Sequence, residues 1–152
     1  MAGYFFDSSA LAKLYHTELG TPKVLQIFSE PERKILISRL TLVEIQSVFA
    51  IKVRTGVLTK EDAELLRQRV VADVASGDFE LFTLAESHYA AAERVVTRHG
   101  FDHRVRTLDA LHLAVAADLR EQGLLDYFVA ADKAICEVAV LEQFSVVNPE
   151  IP

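Results

Sequence analysis

The feature that most constrains the fold of this chain is an alternation of short, almost wholly apolar runs with longer segments of helical patterning. The apolar runs predict five strands, at residues 4–6, 35–37, 79–82, 127–129 and 145–147. Strands that are apolar on both faces are typical of a parallel sheet covered by helices on both sides. The alternation therefore predicts an α/β fold in which a parallel β-sheet of about five strands is flanked by helices on both faces.

Helix start signals divide the chain further. Thr21 before Pro22 has the pattern of a helix start, and residues 59–62 and 83–86 have the pattern of capping boxes. No repeat, low-complexity tract or linker interrupts the sequence, so we expect a single domain over residues 1–152. The predicted helices lie at about residues 9–19, 22–29, 40–55, 60–76, 84–99, 108–122 and 133–142.

The composition of the chain excludes several classes of protein. Hydrophobic residues make up 51% of it, which excludes a disordered protein. No apolar run approaches the ~18 residues of a membrane helix, and the start lacks the pattern of a signal peptide, so we expect a cytoplasmic protein that enters no membrane. A net charge of −6 argues against nucleic-acid binding by bulk electrostatics, so such binding would require a local site. The one cysteine, Cys136, has apolar neighbours and is expected to fill the core.

Two aspartates follow predicted strands. Asp7 comes directly after the first strand and Asp132 shortly after the fourth, each where a helix opens. The carboxyl ends of strands are where open α/β sheets place their ligand crevice. Taken singly, each aspartate is also explained as a helix N-cap, which stabilises a helix by roughly 1 kcal/mol.

Glu44 and Asp109 add two further carboxylates. Glu44 has Leu40 and Val48 as helical neighbours, so we expect it on the apolar stripe of its helix, where an unpaired charge is costly. It therefore requires a cation, a proton or a hydrogen-bonding partner such as Arg39. Asp109 opens a helix rich in small residues, a position that the helix dipole alone would favour.

The four carboxylates form a set without a lysine, and this set suits Mg²⁺ or Mn²⁺. These hard cations take oxygen ligands and retain several waters, whereas Zn²⁺ favours His or Cys. We therefore expect Asp7, Glu44, Asp109 and Asp132 to hold a divalent metal. Ser9 either hydrogen-bonds a carboxylate from the first turn of its helix or is an ordinary helix-start hydroxyl.

Other residues near these acids have simpler explanations. His112 falls one turn after Asp109, and it either lines the site or packs in the core. Residues 98–106 form a predicted basic loop, which either contacts phosphate or is merely solvated. The two histidines of this loop are assigned no metal, because Gly100 interrupts the helix that would bring them together.

Four segments resemble, in order, the four acidic motifs of PIN domains, particularly those of VapC-type toxins. They are residues 6–15 (FDSSALAKLY), 41–45 (TLVEI), 108–114 (LDALHLA) and 129–132 (VAAD). The first and third segments are specific, the last is weak alone, and together they span the chain. Ala130 departs from the pattern, since many relatives carry Thr or Ser at that position.

This resemblance implies a function. It implies a metal-dependent endoribonuclease that hydrolyses RNA phosphodiester bonds with Mg²⁺, or with Mn²⁺ as a substitute. The catalytic and metal-binding residues would be Asp7, Glu44, Asp109 and Asp132, with Ser9 in a supporting role. The resemblance further implies the toxin of a toxin–antitoxin pair, usually a homodimer, held inactive by a cognate antitoxin protein.

Three other functions compete with this one. A receiver-like regulatory module would place an aspartate after its middle strand, but residues 83–86 contain none. A phosphatase with two catalytic aspartates needs them two residues apart, but Asp7 is followed by Ser8 and Ser9. A catalytically weak or inactive PIN-fold protein that acts in binding or scaffolding stays open, with Ala130 as its only hint.

Overall fold

A sheet of five parallel strands runs through the structure, a computed structural model that describes residues 2–152. The strands are β1 (Gly3–Phe6), β2 (Lys34–Ser38), β3 (Glu80–Phe82), β4 (Tyr127–Val129) and β5 (Val146–Val147). They lie in the order β3-β2-β1-β4-β5, and all neighbours are parallel. The predicted fold class is therefore confirmed, and each predicted strand overlaps an observed one.

Seven helices connect the strands within residues 2–152. They are α1 (Ser8–Tyr15), α2 (Thr21–Ser29), α3 (Arg39–Arg54), α4 (Lys60–Ser76), α5 (Glu86–His99), α6 (Thr107–Glu121) and α7 (Lys133–Leu141). All of them except α1 begin and end within two residues of the predicted boundaries. In this part of the chain, no helix combines the length and the apolar character that crossing a membrane would require.

The junction between α1 and α2 explains why α1 is shorter than predicted. α1 ends at Tyr15 rather than at residue 19. The Thr21 hydroxyl donates to Lys13 O (2.9 Å) and accepts from the Glu18 N–H (3.0 Å), so it closes the end of α1 instead of capping α2. The N-cap of α2 is Gly20, whose φ of 93° favours glycine.

The start of α5 also differs from the prediction. The capping box predicted at residues 83–86 is wrong, because β3 continues to Phe82 and Leu84 then packs against the core. The helix begins at Glu86, with Ala85 as its N-cap. The Ala85 N–H donates to His88 Nδ1 (2.8 Å), so a histidine side chain satisfies the backbone at this end.

The sheet separates two hydrophobic cores, and β1 contributes to both. Tyr4 and Phe6 point into the core formed with α1–α4, whereas Phe5 points into the core formed with α5–α7. Phe5, Phe6 and Phe128 are fully buried, and burial of each is worth about 1.5–3 kcal/mol relative to exposure. Packing on both faces therefore fixes the ends of β1 and β4.

The strand order changes direction at β1. From β1 the chain proceeds to β2 and β3 on one side, and then crosses to β4 and β5 on the other. Because such crossovers are right-handed, the reversal places α1–α4 on one face and α5–α7 on the opposite face. A ligand crevice in sheets of this kind lies outside the carboxyl ends of the strands that flank the reversal, here β1 and β4.

A cluster of balanced charges lies at the last turn of α1. We call Lys13, Glu18, Lys52 and Glu150 the balanced cluster. Lys13 is buried, and its Nζ lies 3.2 Å from Glu18 Oε1 and 3.7 Å from Glu150 Oε1. Lys52 Nζ lies 3.1 Å from Glu18 Oε2. Two lysines thus face two glutamates, and the cluster ties the C-terminal residues to α1 and α3.

Candidate active site

Asp7 lies at the carboxyl end of β1 and is the N-cap of α1. Its Oδ1 accepts hydrogen bonds from Ser9 Oγ (2.7 Å) and the Ala10 N–H (3.0 Å), and no described residue hydrogen-bonds its Oδ2. Burial raises the pKa of Asp7 to about 6, although the bonds from Ser9 and Ala10 oppose the rise. Capping explains one oxygen of this buried carboxyl group and leaves the other without a partner.

Ser9 connects the ends of β1 and β4. Its hydroxyl donates to Asp7 Oδ1 and accepts from the backbone N–H groups of Ala131 (3.0 Å) and Asp132 (3.3 Å). The backbone adds a second connection, since the Asp7 N–H donates to Val129 O (3.1 Å). The two strand-end aspartates are therefore held in one local frame.

Asp132 is the N-cap of α7. Its Oδ1 accepts from the backbone N–H groups of Ala134 (2.8 Å) and Ile135 (3.4 Å). Its Oδ2 accepts from Arg106 Nη2 (3.0 Å). The Asp132 side chain is 36% exposed, so this carboxylate is accessible from solvent.

Asp109 lies in the first turn of α6. Its Oδ2 accepts from Arg106 Nε (3.2 Å), and its side chain is mostly buried. Burial raises the pKa of Asp109, Arg106 opposes the rise, and the nearby negative charge of Asp132 adds to it. Asp109 also contributes to the raised pKa of Asp7. Asp109 is therefore close enough to repel both Asp7 and Asp132.

Glu44 does not lie on the buried stripe of α3, contrary to the prediction. The buried residues of this helix are Thr41, Ile45 and Phe49, one position along from the predicted stripe. Glu44 lies at the edge of that stripe, with its side chain 21% exposed. Its Oε1 contacts Nε2 of the buried His112 of α6. The expected need for a partner is therefore met by a histidine from across the fold.

Sequence reasoning undervalued His112. The side chain is 1% exposed, it pairs with Glu44, and its positive form opposes the burial-driven rise in the pKa of both Asp7 and Asp109. Nδ1 of His112 has no hydrogen-bond partner among the described residues. Its spacing was the sequence signal, because a residue three positions after Asp109 lies on the same helix face, but the spacing alone left open whether His112 lines the site or packs in the core.

Three of the four predicted carboxylates share a pattern of hydrogen bonding. In Asp7, Asp132 and Glu44, one oxygen is held by a protein donor of the surrounding fold, namely a hydroxyl, backbone N–H groups or an imidazole. The other oxygen of Asp7 has no partner among residues 2–152, and that of Asp132 meets Arg106. In metal sites, surrounding groups commonly hydrogen-bond to one oxygen of a carboxylate and so orient its other oxygen toward the metal.

The fit of a divalent cation to this site is therefore partial. In the described part of the chain, no three His, Cys, Asp or Glu side chains are grouped so that they could hold a metal ion as they stand. The donor chemistry nevertheless fits a hard cation, because Asp7 offers an oxygen without a partner among the described residues, and the guanidinium of Arg106 already places a positive charge beside Asp109 and Asp132.

The predicted basic loop contributes less to the site than its sequence suggested. Arg98 and His99 both contact Glu142, at 2.7 and 3.1 Å. Arg104 is exposed and has no ion pair among the described residues. Arg106 is the one basic residue of this loop that contacts the predicted carboxylates.

A surface cavity of about 800 Å³ lies beside the carboxylates rather than at them. Residues of α7, β5 and the C-terminal segment line it, including Lys133, Cys136 and Val147, and the four carboxylates do not. Cys136 is half-buried, and its Sγ donates to Ala130 O (3.2 Å). Burial raises the pKa of the Cys136 thiol to about 12, which makes it a poor nucleophile, as expected for a packed cysteine.

Comparisons with known proteins extend this description. A family model described as PIN domain matches residues 4–141. No curated protein matches the chain significantly.

Solved structures with a similar fold include toxins and toxin–antitoxin complexes. VapC20 of Mycobacterium tuberculosis, described as a sarcin-ricin loop cleaving toxin, is 19% identical, with a TM-score of 0.67 over 96% of this chain and 99% of that chain. VapBC2 of Rickettsia felis, bound to a DNA fragment from its promoter, is 14% identical, with a TM-score of 0.64 over 96% and 98%. A toxin–antitoxin complex of Klebsiella pneumoniae is 17% identical, with a TM-score of 0.61 over 96% and 97%. At these identities the likeness is one of fold.

Proposed function

The chain belongs to the PIN domain family, and from this premise we propose that it is a metal-dependent endoribonuclease, the toxin of a toxin–antitoxin pair. The observation that carries the proposal is the convergence of carboxyl groups beside the ends of β1 and β4, where Asp109 repels both Asp7 and Asp132 and the pKa of the buried Asp7 is raised. A fold that needed only helix caps at these positions would not bury one of them beside another carboxylate.

Mg²⁺, with Mn²⁺ as a substitute, is the proposed ion, and Asp7, Glu44, Asp109 and Asp132 are the groups proposed to hold it. When bound, such an ion supplies charge neutralisation at the phosphate and activation of the attacking water. The acid-only donor set and the unpartnered oxygen of Asp7 support this choice over Zn²⁺.

The protein's own residues would orient these carboxylates before a cation arrives. Ser9 holds Oδ1 of Asp7, the first backbone N–H groups of α7 hold Oδ1 of Asp132, and His112 holds Oε1 of Glu44. Side chains fixed in this way lose less conformational entropy on binding. Loss of a group that orients a metal ligand typically costs about 10–100-fold in affinity or activity.

RNA is the proposed substrate and an antitoxin protein the proposed partner, with a homodimer as the proposed assembly. The descriptions of VapC20 and of the two toxin–antitoxin complexes support the choice of RNA and antitoxin. The net charge of −6 requires that RNA be attracted locally, by the metal and by nearby arginines rather than by the whole surface.

Cleavage of a labelled RNA stem-loop in Mg²⁺, Mn²⁺ or chelator tests the catalytic part. Wild type should cleave with either metal and not in chelator, and Asp7→Asn or Asp109→Asn should lower the rate by more than about 100-fold. The matched control is Asp78→Asn, an exposed aspartate that precedes β3 at the opposite edge of the sheet and should retain full activity. Full activity of both site variants would contradict the assignment.

Co-expression and size measurement test the biological part. Expression alone should arrest growth, Asp7→Asn should relieve the arrest, and a small antitoxin should co-purify with a dimer of the chain. RNA binding without cleavage by a harmless, partnerless protein would instead support the inactive binding or scaffolding alternative.

A further inference from the structure

Arg106 is not one of the acids of the proposed metal site, but it contacts two of them. It is the N-cap residue of α6 but makes no capping hydrogen bond with its side chain. Its guanidinium instead spans two elements, with Nε 3.2 Å from Oδ2 of Asp109 on α6 and Nη2 3.0 Å from Oδ2 of Asp132 at the start of α7. One planar cation thus joins two of the four carboxylates.

This bridge uses carboxylate oxygens that the proposed function gives to a divalent ion. Oδ1 of Asp132 is already held by the start of α7, so Oδ2 is the oxygen that the fold leaves for any ligand, and Arg106 holds it. A guanidinium and a metal ion cannot both occupy the space between Asp109 and Asp132 at bonding distance, because they repel and need the same lone pairs. Binding of one therefore requires departure of the other.

The position of Arg106 also allows it to leave. Its side chain is 50% exposed, and its anchor on the fold is the loop before α6 rather than a packed core. An exposed ion pair of this kind contributes far less to stability than a metal ion bound by several carboxylates. The guanidinium fork that fits two carboxylate oxygens fits two phosphate oxygens equally well.

We propose that Arg106 has two positions: in the metal-free protein it bridges Asp109 and Asp132 and closes the metal site, and on metal binding it turns outward to contact a phosphate of the RNA. The inference rests on the proposed function, since it concerns the metal and the substrate of that same site. Arg106 is then a competitor of the metal and a substrate-binding residue in turn.

Mn²⁺ titration by calorimetry tests the first position. Arg106→Gln should bind Mn²⁺ with a Kd about 3- to 30-fold lower than wild type, because two ion pairs no longer compete with the metal. Arg106→Lys keeps the charge but cannot bridge two carboxylates with one rigid fork, so it should also bind more tightly than wild type. Arg104→Gln removes the same charge from an exposed neighbour without an ion pair and should leave the Kd unchanged.

A ¹H–¹⁵N spectrum gives a direct view of the side chain. The Nε–H signal of Arg106, identified by its absence in the Lys variant, should shift on Mg²⁺ addition toward the position of the exposed Arg104 signal.

RNA cleavage at saturating Mg²⁺ tests the second position of Arg106, in which it contacts a phosphate of the RNA. Arg106→Gln should raise the KM for RNA even though it binds metal more tightly. A merely structural arginine would lower metal and RNA affinity together.

The outcomes separate this inference from the proposed function. Equal Mn²⁺ affinity of wild type and Arg106→Gln overturns the inference and leaves the metal site standing. Tighter metal binding with an unchanged KM overturns the outward position alone. Absence of Mn²⁺ binding in all variants, Arg106→Gln included, overturns the proposed metal site and this inference with it.

Discussion

Two clusters of charged residues, one at each end of α1, differ in how the fold balances their charges. In the balanced cluster, burial opposes ionisation of Glu18, but Lys52 and Lys13 lower its pKa below the ordinary value. We call Asp7, Glu44, Asp109 and Asp132 the carboxylate cluster. In it, burial raises the pKa of Asp7 and Asp109 above the ordinary value. The fold thus supplies one lysine for each carboxylate at one end of the helix but not at the other.

The two clusters therefore differ as a structural ion cluster differs from the metal site proposed above. The balanced cluster has as many lysines as glutamates and needs nothing from solution. The carboxylate cluster has four acids against Arg106 and a histidine that is charged only when protonated. Buried carboxylates that outnumber the positive charges around them are costly, and a cation from solution would lower that cost.

The largest expected effect concerns the pH dependence of stability without metal. The pKa of Asp7 is about 6 in the fold against an ordinary 3.8, so its favourable contribution is complete well below pH 3.8 and is lost as the pH rises through 6. Since one pKa unit corresponds to about 1.36 kcal/mol, wild type should lose about 3 kcal/mol of unfolding free energy relative to Asp7→Asn between pH 3 and 8.

Urea unfolding of both proteins in chelator across this pH range measures the difference. Asn is nearly as good an N-cap as Asp, so Asp7→Asn should be the more stable protein at pH 7. If the unfolding free energies of the two proteins changed with pH in parallel, the pKa of Asp7 would not be raised in the fold, and the difference between the two clusters would be contradicted.

The next effect is the response to metal. Mg²⁺ or Mn²⁺ at 100 times its Kd should add about 2.7 kcal/mol to the unfolding free energy, which is about 5–11 °C in melting temperature for a chain of this size. Asp109→Asn should lose most of this rise, whereas the distant Asp78→Asn should keep it. A saturating rise that is the same in all three proteins would indicate a cation site elsewhere in the molecule.

The smallest effect is expected from the balanced cluster. Lys13→Met keeps the buried stem but leaves Glu18 and Glu150 with only Lys52 nearby, and the partial exposure of both glutamates limits the cost to about 2 kcal/mol. Lys23→Met, at an exposed lysine of α2, should cost almost nothing and serves as the control. Thermal melts should show the loss of stability, and Mn²⁺ affinity should not change. An altered metal affinity would mean that the two clusters are coupled through α1.

The strands and the strand-end aspartates could be predicted because each depends on a local pattern. An apolar run of three to five residues marks a buried strand, and an acid that follows it falls at the carboxyl edge of the sheet, as Asp7 and Asp132 do. The parallel sheet and its covering helices follow from the alternation of such runs with helices. The metal assignment of the four carboxylates stays a prediction.

The contacts within the candidate site could not be predicted in the same way. A period of 3.6 residues fits positions 40, 44 and 48 of α3 as well as 41, 45 and 49, and only packing selected the second set. The partner of Glu44 lies 68 residues away and that of Asp132 lies 26 residues away. No local pattern encodes such pairs, so the pairing of His112 with Glu44 and that of Arg106 with Asp132 became visible only in the fold.

The hydroxyl of Ser9 has a mechanical consequence for the site. A serine hydroxyl has one proton and two lone pairs, and here Asp7, Ala131 and Asp132 take all three. The hydroxyl has no hydrogen-bonding capacity left for a water or a substrate, so Ser9 connects the ends of two strands and takes no part in a reaction. If the start of α7 were displaced, either a hydrogen bond to Ser9 would break or the Asp7 carboxyl group would move with it. The oxygen atom of Ser9, which belongs to neither aspartate, thus sets their spacing together with the backbone bond from the Asp7 N–H to Val129 O.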